Sequence, residues 1–126
     1  MNILAVDFGT KNIGLAWCDT GIGVVFPFGV IKSEDKNKAK KDLLDFVKKE
    51  HVDQLVVGLP LSLDGKENKN TERIRDFFSS LDLKIKLDFF DERFTSRQAD
   101  RSEGGASRDE KSAMVILESY LQKNKK

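Results

Sequence analysis

Ala5-Val6-Asp7-Phe8-Gly9-Thr10-Lys11-Asn12-Ile13-Gly14 decides the fold. The continuously apolar run Ile3 to Val6 ends in an acid, a glycine-marked turn follows, and an apolar run resumes from Ile13 to Cys18. This pattern reads as two paired strands joined by a hairpin-like connection. A carboxylate at the end of a buried strand is costly unless something binds it. The candidate binders are a metal ion, a phosphate-bound metal or a neighbouring cation; the structural alternative is that Asp7 caps the turn by accepting backbone amides.

Outward from that stretch, Asp19-Thr20-Gly21 signals a second turn. Val24 to Ile31 is β-branched and aromatic but contains Pro27, which cannot donate to a ladder and favours an edge. Three consecutive antiparallel strands are expected. From Asp35 to His51 the period changes: Ala39, Leu43 and Val47 recur every four residues, an amphipathic helix. Its lysines read as a solvated face and are assigned no function. Val52 to Val57 is a fourth strand ending at Gly58-Leu59-Pro60, and the polar stretch after it holds an Asp64-Gly65 turn signal. A helix over about Thr71 to Leu81 and an edge strand from Lys84 to Phe90 follow. A short helix is predicted around Ser96 to Arg101, then a flexible loop over Ser102 to Ala106. A last helix is capped by Ser107 and Glu110, with Ala113, Leu117 and Leu121 as its buried stripe.

The 126 residues with 39% hydrophobic content suit one domain spanning residues 1–126. Lysine plus arginine number 22 against 21 acids, a net charge of +1, so there is no global basic footprint and any polyanion must be held locally. Cys18 is the only cysteine, which excludes an intramolecular disulfide and a thiolate metal cluster. Neither an export leader nor a membrane-spanning segment is expected, and the implied compartment is the cytoplasm. His51 is the only histidine and stands apart from every acidic motif, and no serine or cysteine has a partner to activate it.

Right-handed crossovers let the first, fourth and fifth strands run parallel, with their carboxyl ends on one side. Ligands of open α/β sheets sit outside those ends, which here carry Asp7, then Gly58 and Leu59, then Asp91 and Glu92. Asp109 lies on the buried stripe of the last helix, at its start. Carboxylates gathered so closely repel one another unless divalent cations neutralise them. Oxygen-only ligands favour Mg²⁺ or Mn²⁺, and a pair of such ions supports phosphodiester hydrolysis. Each acid also has a purely structural reading: Glu92 as a salt-bridge partner of Arg93, Asp109 as a favourable charge in a first helical turn. Asp19 ends its strand on the far side and needs only a turn role.

The motifs Asp7 to Gly14, Val56-Val57-Gly58-Leu59-Pro60, Asp91-Glu92-Arg93-Phe94-Thr95-Ser96 and the Asp109 to Leu117 helix, in that order, resemble the YqgF/RuvX family of candidate pre-16S rRNA nucleases over nearly the whole chain. The resemblance implies an RNase H-like α/β fold: a mixed five-stranded sheet, order 3-2-1-4-5, with flanking helices. It implies catalytic and metal-binding roles for Asp7, Glu92 and Asp109, with Asp91 as the alternate to Glu92 and Glu110 as the alternate to Asp109. It implies Mg²⁺ or Mn²⁺, as two ions, and hydrolysis of nucleic acid, processing the 5′ end of pre-16S rRNA. Lys11, Arg93, Arg97 and Arg108 are the expected substrate contacts, with Lys66, Lys69 and Arg101 further cations near the crevice. Partners would be precursor rRNA or branched DNA, and the protein a monomer or homodimer. A Holliday junction resolvase and a non-catalytic ribosome-assembly factor are alternative functions. Asp7-Phe8-Gly9-Thr10 also resembles the first phosphate turn of actin-like and sugar-kinase-like ATPases, but those clamp nucleotide between two domains and this chain has length for one.

Overall fold

A computed structural model describes residues 1–9, 11–62, 64–92 and 108–123. Its elements are β1 (Asn2–Phe8), β2 (Asn12–Asp19), β3 (Val25–Lys32), α1 (Lys36–Lys49), β4 (Gln54–Leu59), α2 (Lys69–Ser79), β5 (Lys86–Asp91) and α3 (Arg108–Lys123). The strands form one sheet in the order β3-β2-β1-β4-β5. β1 is antiparallel to β2 and parallel to β4, β2 is antiparallel to β3, and β4 is parallel to β5. This is the RNase H-like mixed sheet, with β3 and β5 at its edges. The expected helix over Ser96 to Arg101, the loop over Ser102 to Ala106 and the Ser107 cap lie outside the described residues.

Strand alternation splits the core in two. Leu4, Val6 and Phe8 point to the face covered by α1 and α2, joined there by Leu15, Leu43, Leu55, Val57, Ile74 and Phe78. Ile3 and Ala5 point to the other face, with Ala16, Cys18, Val56 and Phe90, beneath Ala113, Ile116 and Leu117 of α3. Asp7 continues the Ile3 and Ala5 series and therefore lies on the α3 side. Pro27 sits on the edge strand, where its missing amide costs no ladder bond, and the register of β2 against β3 shifts between Leu15 and Ala16. Trp17 is half-buried, packs against the core on the α1 and α2 side and stacks on the exposed Phe26, with ring centroids 5.6 Å apart.

Local capping moves two boundaries. Asn68 is the N-cap of α2: its side chain accepts from the amides of Asn70 at 2.9 Å and Thr71 at 3.1 Å, while Thr71 Oγ1 accepts from the Asn68 amide at 2.8 Å. Asn-x-x-Thr thus does the work of a capping box, and α2 starts before Thr71. At the end of α1, the chain turns through His51 in the left-handed region, φ 53°, and β4 begins at Gln54 rather than Val52.

Polar ties set the placement of α3. Gln54 Nε2, buried between β4 and α3, donates to Asp88 at 2.8 Å and to the Tyr120 hydroxyl at 2.6 Å, and that hydroxyl also donates to Asp88. At the other end of the helix, the Glu110 carboxylate accepts from the Gly29 amide of β3 at 2.8 Å. Among the described residues, no helix is long and apolar enough to cross a membrane.

Candidate active site

The parallel strands β1, β4 and β5 end on one rim of the sheet, and on its α3 side two acids meet. Asp7 is placed by the alternation of β1. Phe90 of β5 packs under α3, so Glu92, two residues on, returns to the same face, while Asp91 falls on the other. The Asp7 and Glu92 side chains are hydrogen-bonded to each other. Asp109 lies close enough to Asp7 for its charge to be felt there, and Ser112, one helical turn after Asp109, also hydrogen-bonds Asp7.

Two glycines make the approach possible. Gly14 is the β2 partner of Asp7 in the ladder, and a Cβ at Gly14 would overlap the backbone carbonyl of Asp109 and lie 3.0 Å from Asp109 Cβ. The start of α3 therefore rests directly on the β2 backbone. A Cβ at Gly58 of β4 would lie 2.6 Å from Glu92 Oε1 and 2.7 Å from Ile116 Cδ1. The space between β1 and β5 is left open for the Glu92 carboxyl.

The electrostatics follow from this crowding. Burial, above all, pushes the Asp7 carboxyl above its ordinary range; the Asp109 charge adds to the rise, and hydrogen bonds from Glu92 and Ser112 oppose it. Burial raises Glu92 to about 7 from 4.5, with the Asp7 charge, the hydrogen bond to Asp7 and the Asp91 charge adding to it. Near neutrality the pair thus holds a proton that Glu92 donates to Asp7.

A carboxyl raised on folding binds its proton more tightly in the folded state, so its stabilisation is present at low pH and is lost as pH rises through the folded value. For Glu92 that window runs from about 4.5 to about 7. Metal-free protein should lose about 2–3 kcal/mol of stability across it through this group. Melting in EDTA at pH 5 and pH 8 tests this: Glu92→Gln should remove most of the difference. Equal pH dependence in the two proteins would show that the carboxyls do not share a proton.

The donor set fits a hard divalent cation as a two-carboxylate seat, Asp7 and Glu92, bordered by Asp109 and the Ser112 hydroxyl. It is all oxygen, and the proton it holds is one that a cation can replace. Among the described residues, no three acids are drawn together closely enough to enclose an ion without adjustment.

The other expected residues are dispersed. Asp91 pairs with Leu59 in the ladder and reaches Glu92 through its charge. Glu110 is engaged with Gly29, which leaves Asp109 as the helix-head acid beside Asp7. Lys11 is exposed in the β1–β2 turn, Arg108 is exposed as the first residue of α3, and Arg93, Arg97 and Arg101 lie outside the described residues. Lys69, expected near the crevice, lines a cavity on the opposite face of the sheet. Asp19 accepts from the Gly21 amide at 2.9 Å at the far end of β2, a turn role as expected. Ser112 escaped the sequence reading, although its place three residues after Asp109 puts it on the same helical face.

The sequence profile of the RuvX family, described as Holliday junction resolvase, matches residues 1–123. A candidate pre-16S rRNA nuclease of Maridesulfovibrio salexigens is 35% identical over 132 residues, covering 96% of this chain and 98% of that protein. One of the same description from Escherichia coli (strain SE11) is 34% identical, covering 95% of each. Among solved structures, Thermus thermophilus RuvC in complex with a Holliday junction substrate superposes with a TM-score of 0.68 over 98% of this chain and 96% of that one. Its 10% identity makes this a likeness of fold alone. With its strand order, its rim of acids and these relatives together, the chain belongs to the RuvX family of RNase H-like nucleases.

Proposed function

We propose that this chain is a single-domain, divalent-metal-dependent nuclease that processes the 5′ end of pre-16S rRNA in the cytoplasm. The observation that carries the proposal is the contact between the Asp7 and Glu92 carboxyls, beside Asp109, on the rim where the parallel strands end. The relatives of 34–35% identity that span the chain, described as candidate pre-16S rRNA nucleases, supply the substrate.

In this reading Asp7 and Glu92 would hold Mg²⁺ or Mn²⁺, with Asp109 as the third carboxylate. Such ions, as a pair, supply an activated water and stabilise the leaving oxygen of a phosphodiester. Ser112 orients the Asp7 carboxyl, and burial of the acid pair keeps bulk water from screening it. Exposed Lys11 in the β1–β2 turn and exposed Arg108 at the start of α3 serve as phosphate contacts, together with Arg93, which follows Glu92 directly in the chain, and Arg97, four residues further on. A monomer suffices for trimming RNA.

A second reading, resolution of branched DNA, is favoured by the family's own description and would ask for a homodimer to cut two symmetric strands. The test is incubation with a 16S rRNA fragment carrying its 5′ extension and, separately, with a four-way DNA junction, in Mg²⁺ or Mn²⁺. Removal of the RNA extension is the expected outcome. Cleavage of the junction alone would replace the first reading by the second, and cleavage of neither would sink both.

A further inference from the structure

We propose that the cavity between α1 and α2 is a phosphate-binding subsite for the nucleic-acid backbone, across the sheet rim from the acid pair. It rests on the reading of the protein as one that binds nucleic acid, and extends it to a surface that no catalytic residue touches. The cavity, of about 300 Å³, is lined by Lys36 and Lys40 of α1, Lys69 and Arg73 of α2, and the rings of Phe8 and Phe77. Glu72 and Asp76 also border it, so four cations face two carboxylates. Among the described residues, none of the four cations makes an ion pair.

Arg73 Nε is buried and has no hydrogen-bond partner. A buried donor without an acceptor is a rare and costly arrangement, and a phosphate oxygen is the acceptor that matches a guanidinium best. The aromatic floor holds the cations in place. The Arg73 guanidinium lies 5.6 Å from the centre of the Phe8 ring, Lys40 Nζ lies 5.6 Å from that of Phe77, and the two rings pack 4.7 Å apart. Cations held over ring faces are fixed without being neutralised, which leaves their charge available to an incoming anion.

The location gives the cavity its partner. Phe8 follows Asp7 at the end of β1, and their side chains leave opposite faces of one rim. α1 follows β3 and α2 follows β4, so both helices start at this same rim and add the positive ends of their dipoles. A nucleic-acid strand that crosses the rim over β1 meets the acids on one side and this cluster on the other. Lys36 is exposed and Lys40 half-buried, so both keep the solvent access that the helical pattern gave them while bordering the cavity.

The test measures the salt dependence of binding in the Asp7→Asn background, using a fluorescein-labelled 16S rRNA fragment with its 5′ extension and, in a second arm, a labelled four-way DNA junction. Two pairs are compared with the parent: Lys40→Gln with Arg73→Gln, and Lys36→Gln with Lys69→Gln. The second pair removes only exposed lysine side chains, neither of which lies over a ring, so it keeps the fold if the first does not. Each pair should weaken binding about tenfold near 0.1 M salt and reduce the slope of log K against log salt by about one to two. The arm that shows the change identifies RNA or DNA as the source of the phosphate. Unchanged affinity and slope for the second pair in both arms, or no binding of either probe by the parent, overturns the subsite. Cleavage scores the nuclease reading separately: it fails if Asp7→Asn cuts as well as the unaltered protein, and the salt slopes still decide the subsite.

Discussion

Asp7→Asn should lower metal-dependent cleavage of 5′-extended 16S rRNA by about 10³-fold or more, since losing a first-strand carboxylate removes several kcal/mol of charge stabilisation around the reacting phosphate. The same variant should melt at an unchanged or higher temperature. Burial and the Asp109 charge both disfavour the ionised Asp7 carboxyl, so the native acid costs the fold something that an amide of the same shape does not. Asn can still bond to Glu92 and Ser112. With Asp7 neutral, the Coulombic contribution it makes to Glu92 is gone, and Glu92 should titrate below its present value of about 7. Initial rates with Mn²⁺, paired with thermal melts, read both effects. A rate within tenfold of the parent would remove Asp7 from the chemistry, and a large fall in melting temperature would make it a structural acid instead.

Gly14→Ala should be strongly destabilising for a single added methyl, costing about 3 kcal/mol or more, beyond the usual range for overpacking. At most crowded positions a flexible side-chain end moves aside. Here the added carbon would overlap the carbonyl of Asp109, which is backbone at the head of α3. That head cannot withdraw freely, because Glu110 is bonded to Gly29 and the far end of the helix is tied through Tyr120 to Gln54 and Asp88. Either the fold absorbs the clash as lost stability or α3 lifts away from β2 and takes Asp109 with it. Urea unfolding and the cleavage assay together distinguish this from a neutral change. Gly21→Ala is the control, because its Cβ would meet only the end of the Asp19 side chain, at 3.3 Å. Equal stability of the two variants would show that α3 does not rest on Gly14.

Much of this architecture is legible in one dimension, because it depends on period and local sterics. The apolar run Ile3 to Val6, the glycine-marked turn, Pro27 on an edge and the four-residue spacing of Ala39, Leu43 and Val47 each have a local cause, and crossover handedness makes the first, fourth and fifth strands parallel, while the strand order came from the family resemblance. Boundaries were less legible. The start of α2 shifted because Asn68 and Thr71 cap it with residue types outside the commonest pattern. β4 begins late because His51 spends a residue in the left-handed region to turn the chain.

The candidate site divides along the same line. That Asp7, Glu92 and Asp109 belong at one end of one sheet could be read from the strands and helix that carry them, as could the opposite facing of Asp91 and Glu92, since pleating alone dictates it. Which acids touch could not, because contact depends on how closely α3 packs. That closeness comes from Gly14 and Gly58 being bare where Asp109 and Glu92 press in, and from the polar ties of Glu110 and Tyr120. The lysines of α1 make the same point in reverse. Helical periodicity sends them to solvent, and only tertiary packing sets Lys36 and Lys40 around one cavity with Arg73 and the rings of Phe8 and Phe77. Sequence by itself determined the order of the elements and the rim on which the acids stand, because those follow from short-range geometry. Tertiary packing decided which carboxyls share a proton and which cations share a cavity, because burial and charge act through distances that the spacing of residues along the chain does not contain.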